Sequence, residues 1–542
     1  VGIFQFESKG MQEYLKQLKP TSIEDLIAMN ALYRPGPMAN IPEFIARKNG
    51  ESKVDFMHPK LESILKETNG IIVYQEQVMQ ISQVIGGLTL AQGDMMRRAM
   101  GKKKASLMAT FKIDFVNGAV EKGIDKKCAV QIFELLEKFA QYGFNKSHST
   151  AYAIIAYQTA WLKAYYPAEY LSANMTSVIN KTEDVVRLIN EAKEMGIKVL
   201  LPDVNSSFSE FSPMQTGEII YGLSAVKNIG TKAAESIAIH RKKHGNYKTI
   251  FDLCKIEPSI NRKVLESLIQ VGACDSLDGH RSQQFDSIDV AIKYGQKWLE
   301  EKNSSQESLF SGTNMEEANS EPQLSEIEKW TTDDCLNREK ELLGFYLSGD
   351  PLEDYYLDLN EFSNVDMNHL PNKLPKEIKI GGIITKVNQL FDKKNQPWAI
   401  LSIQGINGKA EVFVFSQVYE KYKDFIQDDQ KVFIFGSPSN RSEGNEKLKF
   451  IANKLILLDE VRNKVSKIIN LRLNFIQQDE NKLDELKLLL ENYKGYCFFN
   501  FHLIDENGQS QTVRAQKIRV SPSTQLIEKL RILYGKENIW IN

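Results

Sequence analysis

The sequence predicts a multidomain protein: a mainly α amino-terminal region, a domain built on a helix-hairpin-helix element, a five-stranded β-barrel and a small α+β carboxy-terminal domain. Three observations predict it. At 542 residues the chain exceeds what one hydrophobic core can serve, and about 150 residues per domain points to several domains. Apolar residues recur at helical spacing from the start, as in Met11, Tyr14, Leu15 and Leu18. Between Ile378 and Leu458 the period becomes that of strands.

Composition narrows the function classes. Hydrophobic residues at 42% and charged residues at 25% are ordinary for globular protein and exclude a disordered chain. No apolar run approaches the ~20 residues that span a bilayer, so no membrane partner is expected. The five cysteines, Cys128, Cys254, Cys274, Cys335 and Cys497, are scattered and form no C-x-x-C pair, which argues for a reducing, cytoplasmic setting over a disulfide framework or zinc site. A net charge of −2 excludes a uniformly basic nucleic-acid coat and leaves local patches open. Val1-Gly2-Ile3-Phe4 has neither an initiator Met nor a basic leader, so the expectation is a piece of a longer protein.

Residues 1–205 read as helical. Thr21-Ser22-Ile23-Glu24-Asp25 caps a second helix, Gln75 to Ile81 begins an amphipathic one, and Glu183 to Met195 another that ends at Gly196. Three segments offer phosphate chemistry. Asp94 to Lys104 carries Arg97, Arg98, Lys102, Lys103 and Lys104, with the lysines placed where a helix ends. Arg34 stands in the stiff turn Tyr33-Arg34-Pro35-Gly36-Pro37. Lys146, Ser147 and His148 open a helix whose first N–H groups are free to face an anion. A solvated charged helix end is the plain alternative for the Arg/Lys run. Tyr157, Trp161 and Tyr165 recur every four residues on the helix 151–166, a stripe read as core packing in preference to base stacking.

In 206–299, Val226-Lys227-Asn228-Ile229-Gly230 between two helical patterns reads as a hairpin whose glycine lets backbone N–H groups meet a DNA phosphate, with Lys227 and Lys232 beside it. A glycine-capped helical turn is the alternative. Asn261 to Gly272 reads as a degenerate second half. His240 and His244 have metal spacing without a third ligand and read as solvated helix residues. Residues 300–328, rich in Glu, Ser, Asn and Gln, read as a linker interrupted by Gln306-Glu307-Ser308-Leu309-Phe310, whose Leu309 and Phe310 have nothing local to bury them. Residues 329–374 connect, with an amphipathic helix turning at Ser348 to Pro351. In 375–460, strands Ile378–Val387, Ala399–Ile403, Ala410–Phe415, Lys431–Gly436 and Leu448–Leu457, with a helix before the fourth, give an OB-type barrel. Phe391, Lys393, Lys394, Trp398 and Phe413 are its candidates for single strands, with barrel packing favoured for Trp398 and Phe413. Residues 461–542 mix strands with helices Asp479–Asn492 and Thr524–Tyr534 and show no readable chemistry.

A family resemblance rests on several long motifs in order: Gly2-Ile3-Phe4-Gln5-Phe6-Glu7-Ser8, Arg34-Pro35-Gly36-Pro37, Gly70 to Gln77, Arg97 to Lys103 and Phe144 to Ser149. They resemble the fingers of the bacterial C-family replicative DNA polymerases, the alpha-subunit family of DNA polymerase III. The resemblance implies template-directed DNA synthesis from deoxynucleoside triphosphates. Arg34, Arg97, Arg98, Lys146, Ser147 and His148 would hold the incoming nucleotide. Lys102, Lys103, Lys104, Lys227, Gly230 and Lys232 would bind template-primer duplex, and the barrel single-stranded DNA. Gln306, Leu309 and Phe310 would bind the sliding clamp, and 461–542 the clamp-loader tau subunit. The family's paired palm aspartates, Asp-x-Asp, hold magnesium for in-line attack on the α-phosphate. No Asp-x-Asp occurs here, so the resemblance implies that the palm and amino-terminal domain are missing, that no catalytic residue lies in this chain, and that the chain is inactive alone. A non-catalytic scaffold with hairpin and barrel modules is the other class of function. A ligase-like enzyme would need a nucleophilic Lys motif, and none is seen.

Overall fold

The computed structural model describes residues 1–101, 105–140, 143–257, 260–303, 321–371, 373–439, 448–474, 480–504 and 509–542. They fall into two units, Val1–Ser348 and Gly349–Asn542.

The first unit is mainly helical, and among the described residues it holds three clusters of buried side chains. Helices Lys9–Leu18, Ile23–Leu32 and Ile41–Lys48 close over Met11, Leu18, Ala28, Met29 and Phe44. Ser22 and Asp25 form the expected capping box, and the buried Asp25 also pairs with Lys48 at 2.8 Å. A second cluster, with Ile81, Met96, Phe115, Phe133 and Leu136, is enclosed by helices Gln75–Val84, Leu90–Gly101, Ala105–Glu121 and Lys126–Ala140. There the helix carrying Gly118 crosses the Gly86 turn so closely that a Cβ on Gly118 would lie 2.1 Å from the Gly86 carbonyl oxygen. Only glycine fits.

The third cluster runs from Ala168 to Leu343 and takes side chains from both sides of positions 205 and 328. Around it lie several helices and a small sheet of β1 (Val199–Leu200), β2 (Ser212–Pro213) and β3 (Ile219–Ile220), in the order β1-β3-β2. The end of the acidic stretch packs on this unit: Ser325 N–H donates to Ser287 Oγ (2.9 Å) and Ser282 Oγ donates to the Glu328 carbonyl (2.7 Å).

The second unit contains the barrel. Strands β4 (Ile378–Phe391), β5 (Pro397–Gly405), β6 (Gly408–Val414), β7 (Lys431–Pro438) and β8 (Leu448–Leu457) close in the order β4-β5-β6-β8-β7. The β6–β8 pair is parallel, the rest antiparallel, and the helix Ser416–Tyr422 bridges β6 to β7. This is the OB arrangement. Alternate residues fill it, among them Ile380, Ile384, Leu401, Ile403, Val412, Ile434 and Phe450. The tail sheet, β9 (Ile468–Asn474), β10 (Lys494–Ile504), β11 (Ser510–Val520) and β12 (Ile539–Ile541), has the order β11-β10-β9-β12 and helices Glu480–Asn492 and Thr524–Tyr534 against it. Among the described residues no helix is long and apolar enough to cross a membrane.

One ion pair ties the tail to the helix before the barrel. Buried Arg462 forks onto buried Asp358 at 2.7 and 2.8 Å and donates to Thr524 Oγ1 at 2.9 Å. Breaking a buried pair leaves an uncompensated charge and costs about 3–5 kcal/mol, whereas removing both charges together is far cheaper. Arg462→Ala is therefore expected to destabilise the unit by about that amount, and Arg462→Met with Asp358→Leu by much less. Hydrogen exchange of the β4–β8 and β9–β12 amides measures both, and equal losses in the two variants would contradict the account.

Candidate phosphate-binding site

The site is built where two extended segments meet. The Phe144 N–H donates to the Val73 carbonyl (3.2 Å) and the Gln75 N–H to the Phe144 carbonyl (2.9 Å), a parallel bridge between Tyr74 and Phe144. Buried Gln77 fixes the first segment: its Oε1 accepts from the Val73 and Tyr74 N–H groups, and its amide donates to the Ile64 carbonyl and Thr68 Oγ1. Every polar atom of that side chain is satisfied, as a buried amide requires. The second segment runs straight into the helix Lys146–Tyr165. Asn145 caps it by accepting from the His148 N–H (2.9 Å), and Ser149 Oγ docks it on the Ile27 carbonyl (2.6 Å).

Arg34, Arg97 and His148 converge on this junction. The Arg34 guanidinium lies 4.2 Å from the centre of the Phe144 ring and donates through Nε to the Ala31 carbonyl (2.9 Å). Burial lowers its pKa from the usual value. The His148 ring sits 5.4 Å from Phe144 and 4.3 Å from Tyr152, which continues to Phe4 at 5.1 Å. Arg97 donates through Nη1 to Gln75 Oε1 (2.9 Å), and the Gln75 amide in turn donates to the Gly143 carbonyl (2.9 Å). The other edge of Arg97 holds Asp94 Oδ1 through Nε (3.0 Å) and Nη2 (2.8 Å).

The remaining candidates are placed differently. Exposed Arg98 pairs with the second oxygen of Asp94 at 2.8 Å. Lys146 is drawn to acidic side chains: its ammonium meets Glu67 at 2.7 Å, and its N–H donates to the Glu76 carboxylate at 3.1 Å. Ser147 is exposed at the helix start. Lys102, Lys103 and Lys104 lie outside the described residues, as do Gln306, Leu309 and Phe310. Sequence reasoning missed Gln75, Phe144 and Asp94. The spacing of Asp94 to Arg97 and Arg98, three and four residues, was the legible signal for the last.

The aromatic stripe overturns an expectation. Tyr157, Trp161 and Tyr165 are exposed, and among the described residues the Trp161 ring meets its neighbours Tyr165 and Tyr166. The opposite face, with Ser149, Ala153 and Ala156, is the buried one, because small residues let this helix approach Ile23–Leu32 closely. The His240 and His244 rings lie 4.5 Å apart and tilted, and Tyr247 stacks on His240 at 5.6 Å.

At the hairpin the chain forms a tight turn leading into a helix. Asn228 takes the positive φ, Ile229 N–H returns to the Val226 carbonyl, and Gly230 caps the helix Thr231–His244. Gly230 has φ −75° and a Cβ there would meet nothing within 4 Å, so neither strain nor internal packing asks for glycine. Lys227 and Lys232 are exposed beside it. Asn261 caps the helix Arg262–Gln270, the second half. At the barrel, Phe413 is buried, half-buried Trp398 packs against exposed Phe415 at 5.8 Å, and Phe391 is exposed beside the Asp392–Gln396 turn that carries Lys393 and Lys394.

Fold and site define a multidomain protein with a cation-bearing helical region, a helix-hairpin-helix domain and an OB barrel. Residues 1–123 match the family described as the bacterial DNA polymerase III alpha subunit finger domain, and residues 196–284 match the helix-hairpin-helix motif. The chain is 38% identical to DNA polymerase III subunit alpha of Borreliella burgdorferi, over 100% of this chain and 48% of that protein. Identity to the same subunit of Escherichia coli K12 is 36%, over 99% of this chain and 47% of that one, and to that of Vibrio cholerae 34%, with the same coverage. By sequence the chain is similar to the bacterial DNA polymerase III alpha subunits, and it spans about half the length of these curated relatives. Among solved structures, the yeast mitochondrial single-stranded DNA binding protein Rim1 aligns at 13% identity over 15% of this chain and 91% of its own, with a TM-score of 0.13, too low to bear on the fold.

Asp94 gives the site a titration signature. Hydrogen bonding from Arg97 is the largest cause holding its carboxyl below the ordinary value of 3.8. A depressed carboxylate keeps its ion pairs above the unfolded pKa and loses them as pH falls through the folded one. Arg97→Ala is expected to move the Asp94 midpoint up towards 3.8, followed by carboxyl-carbon NMR, while Arg98→Ala moves it less. An unmoved midpoint in Arg97→Ala would contradict the pairing.

Proposed function

We propose that this chain is the nucleotide- and DNA-handling part of a bacterial replicative DNA polymerase, in which the Phe144–Gln75 junction holds the triphosphate of an incoming deoxynucleotide. The observation that carries the reading is the meeting of Arg34, Arg97 and His148, from three distant stretches of sequence, on one backbone junction. A guanidinium already oriented by a glutamine and a carboxylate can exchange Asp94 for phosphate oxygens without reorganising the backbone. Its role is positioning and charge neutralisation, the chief contributions a protein makes to phosphoryl transfer. Arg98, Lys146 and Ser147 border the same site, and Lys102, Lys103 and Lys104 are assigned to the template-primer backbone.

Relatives of this family imply a divalent metal requirement. Among the described residues no three His, Cys, Asp or Glu converge to hold an ion. We assign the ion to residues outside this chain. The hairpin at Lys227, Gly230 and Lys232 takes duplex phosphates: a glycine with no internal reason is suited to close approach by an external backbone. The Phe391, Lys393, Lys394, Trp398 and Phe415 end of the barrel takes single-stranded DNA. Gln306, Leu309 and Phe310 dock the sliding clamp, and 461–542 meet the clamp-loader tau subunit. Five free cysteines suit a reducing bacterial cytoplasm.

Two experiments test this. In the polymerase that carries this sequence, Arg97→Ala is expected to lower kcat/KM for deoxynucleotides about tenfold or more, because a charged contact is worth about 1.5–3 kcal/mol, with duplex affinity little changed. A change confined to the salt slope of DNA binding would reassign Arg97 to the template. For the clamp, replacing Leu309 and Phe310 together by Ala is expected to weaken binding at least about tenfold, since burying two such side chains is worth roughly 3–6 kcal/mol. Undiminished clamp affinity would remove that assignment.

A further inference from the structure

The carboxy-terminal sheet has one face covered by helices and one open face, and the open face has a chemistry visible only in the folded sheet. Pairing puts Asn470 beside Asn500 and Trp540, Phe498 beside Arg519, Asn500 beside Arg514, and His502 between Arg472 and Thr512. These alternate with Ile469, Leu471, Phe499, Ile539 and Ile541, which are buried. The Arg519 guanidinium lies 3.6 Å and the Arg514 guanidinium 4.8 Å from the centre of the Phe498 ring. Arg472 lies 5.4 Å from the Trp540 ring, which also meets His502 at 4.7 Å.

Beneath them is a polar layer. Asn470 Oδ1 accepts from Asn500 Nδ2 (3.3 Å) and contacts His502 Nε2 (3.0 Å), while Arg514 Nε donates to Asn500 Oδ1 (3.3 Å). Thr512 Oγ1 holds the other His502 nitrogen at 2.9 Å. Burial, and secondarily Arg472, lowers the His502 pKa and favours the neutral ring. None of the four strands contains an Asp or Glu, although they carry Arg472, Lys494, Arg514, Lys517 and Arg519. The open face therefore joins positive charge, aromatic rings and hydrogen-bonding groups, and the strands that form it contribute no acidic side chain.

We propose that this open face of β9–β12 is a second binding surface for single-stranded nucleic acid, distinct from the barrel. Charge complementarity asks for a polyanion. The geometry selects among polyanions: a guanidinium lying over a ring offers its outer flat face, which suits a stacked base, whereas a carboxylate is met by the edge of the fork. Arg472, Arg514 and Arg519 supply the phosphate attraction and Trp540, Phe498 and His502 the stacking platform, the combination by which open sheets and grooves hold single strands with little sequence preference. An acidic peptide is the competing occupant.

The test uses the full chain with Phe391, Lys393 and Lys394 replaced by Ala, so that the barrel end is disabled. Binding of a labelled oligothymidylate of about 12 nucleotides, a length within known single-strand site sizes, is measured by anisotropy. Residual binding is expected, and Arg472→Gln with Arg514→Gln is expected to weaken it about fivefold or more and to lower the salt slope by about 0.7 for each arginine removed. Arg472→Lys with Arg514→Lys keeps charge without the planar stack and should recover the salt slope but only part of the affinity. Photocrosslinking of a bromouridine-substituted strand to the chain without these arginine changes should label peptides containing Phe498, His502 or Trp540. Absence of label there, or preference for polyglutamate over the oligonucleotide in competition, would overturn the proposal. Undiminished binding by the barrel variant, with label still at β9–β12, would support this proposal and count against the barrel reading only.

Discussion

The pairing of Val73–Gln75 with Phe144 is the constraint on which the candidate site depends. Two backbone hydrogen bonds between segments about seventy residues apart fix the position of one ring and one amide. The ring orients Arg34 and His148, and the amide orients Arg97. Neither segment could hold this geometry alone, because a single isolated bridge is worth little against chain entropy. Gln77 below and the Ser149–Ile27 bond behind supply the rest by fixing each segment to a packed helix.

Arg97, Arg98 and Lys146 at this junction are held by internal anions. Asp94 divides its two oxygens between Arg97 and Arg98, and Glu67 and Glu76 engage Lys146. Partly exposed pairs of this kind add little stability, since Coulomb attraction in high dielectric is offset by side-chain entropy. Their effect is on orientation. They keep guanidinium and ammonium groups from repelling one another and hold them in fixed positions.

Much of the fold was legible because its signals are local. The Ser22–Asp25 capping box, the stop at Gly196, the tail helix Thr524–Tyr534 and all five barrel strands follow from caps, glycines and period. The site was legible in part: Arg34, Arg97 and His148 sit in motifs, but Phe144 and Gln75 act through a pairing that no local pattern announces. The stripe Tyr157, Trp161 and Tyr165 misled because large aromatics usually mark the buried face, and here alanines and a serine do. The tail's chemistry was invisible for a further reason. Its arginines and rings alternate with buried apolar residues on strands far apart in sequence, and only the register of β9 to β12 brings them to one side.

The same device, a guanidinium laid over an aromatic ring, appears in both units with opposite surroundings. At Phe144 the neighbouring Arg97, Arg98 and Lys146 have carboxylate partners, so in the proposed role a ligand would exchange with an internal anion, which favours strongly charged, compact groups. Over Phe498 and Trp540 the strands supply no anion to displace. A surface of that kind is less selective and more sensitive to salt, because its counterions come from solvent and are released on binding. The first arrangement suits a small ligand taken up in one orientation. The second suits a long polyanion that is held loosely and allowed to move, and the difference follows from whether acidic residues are built into the elements that carry the arginines.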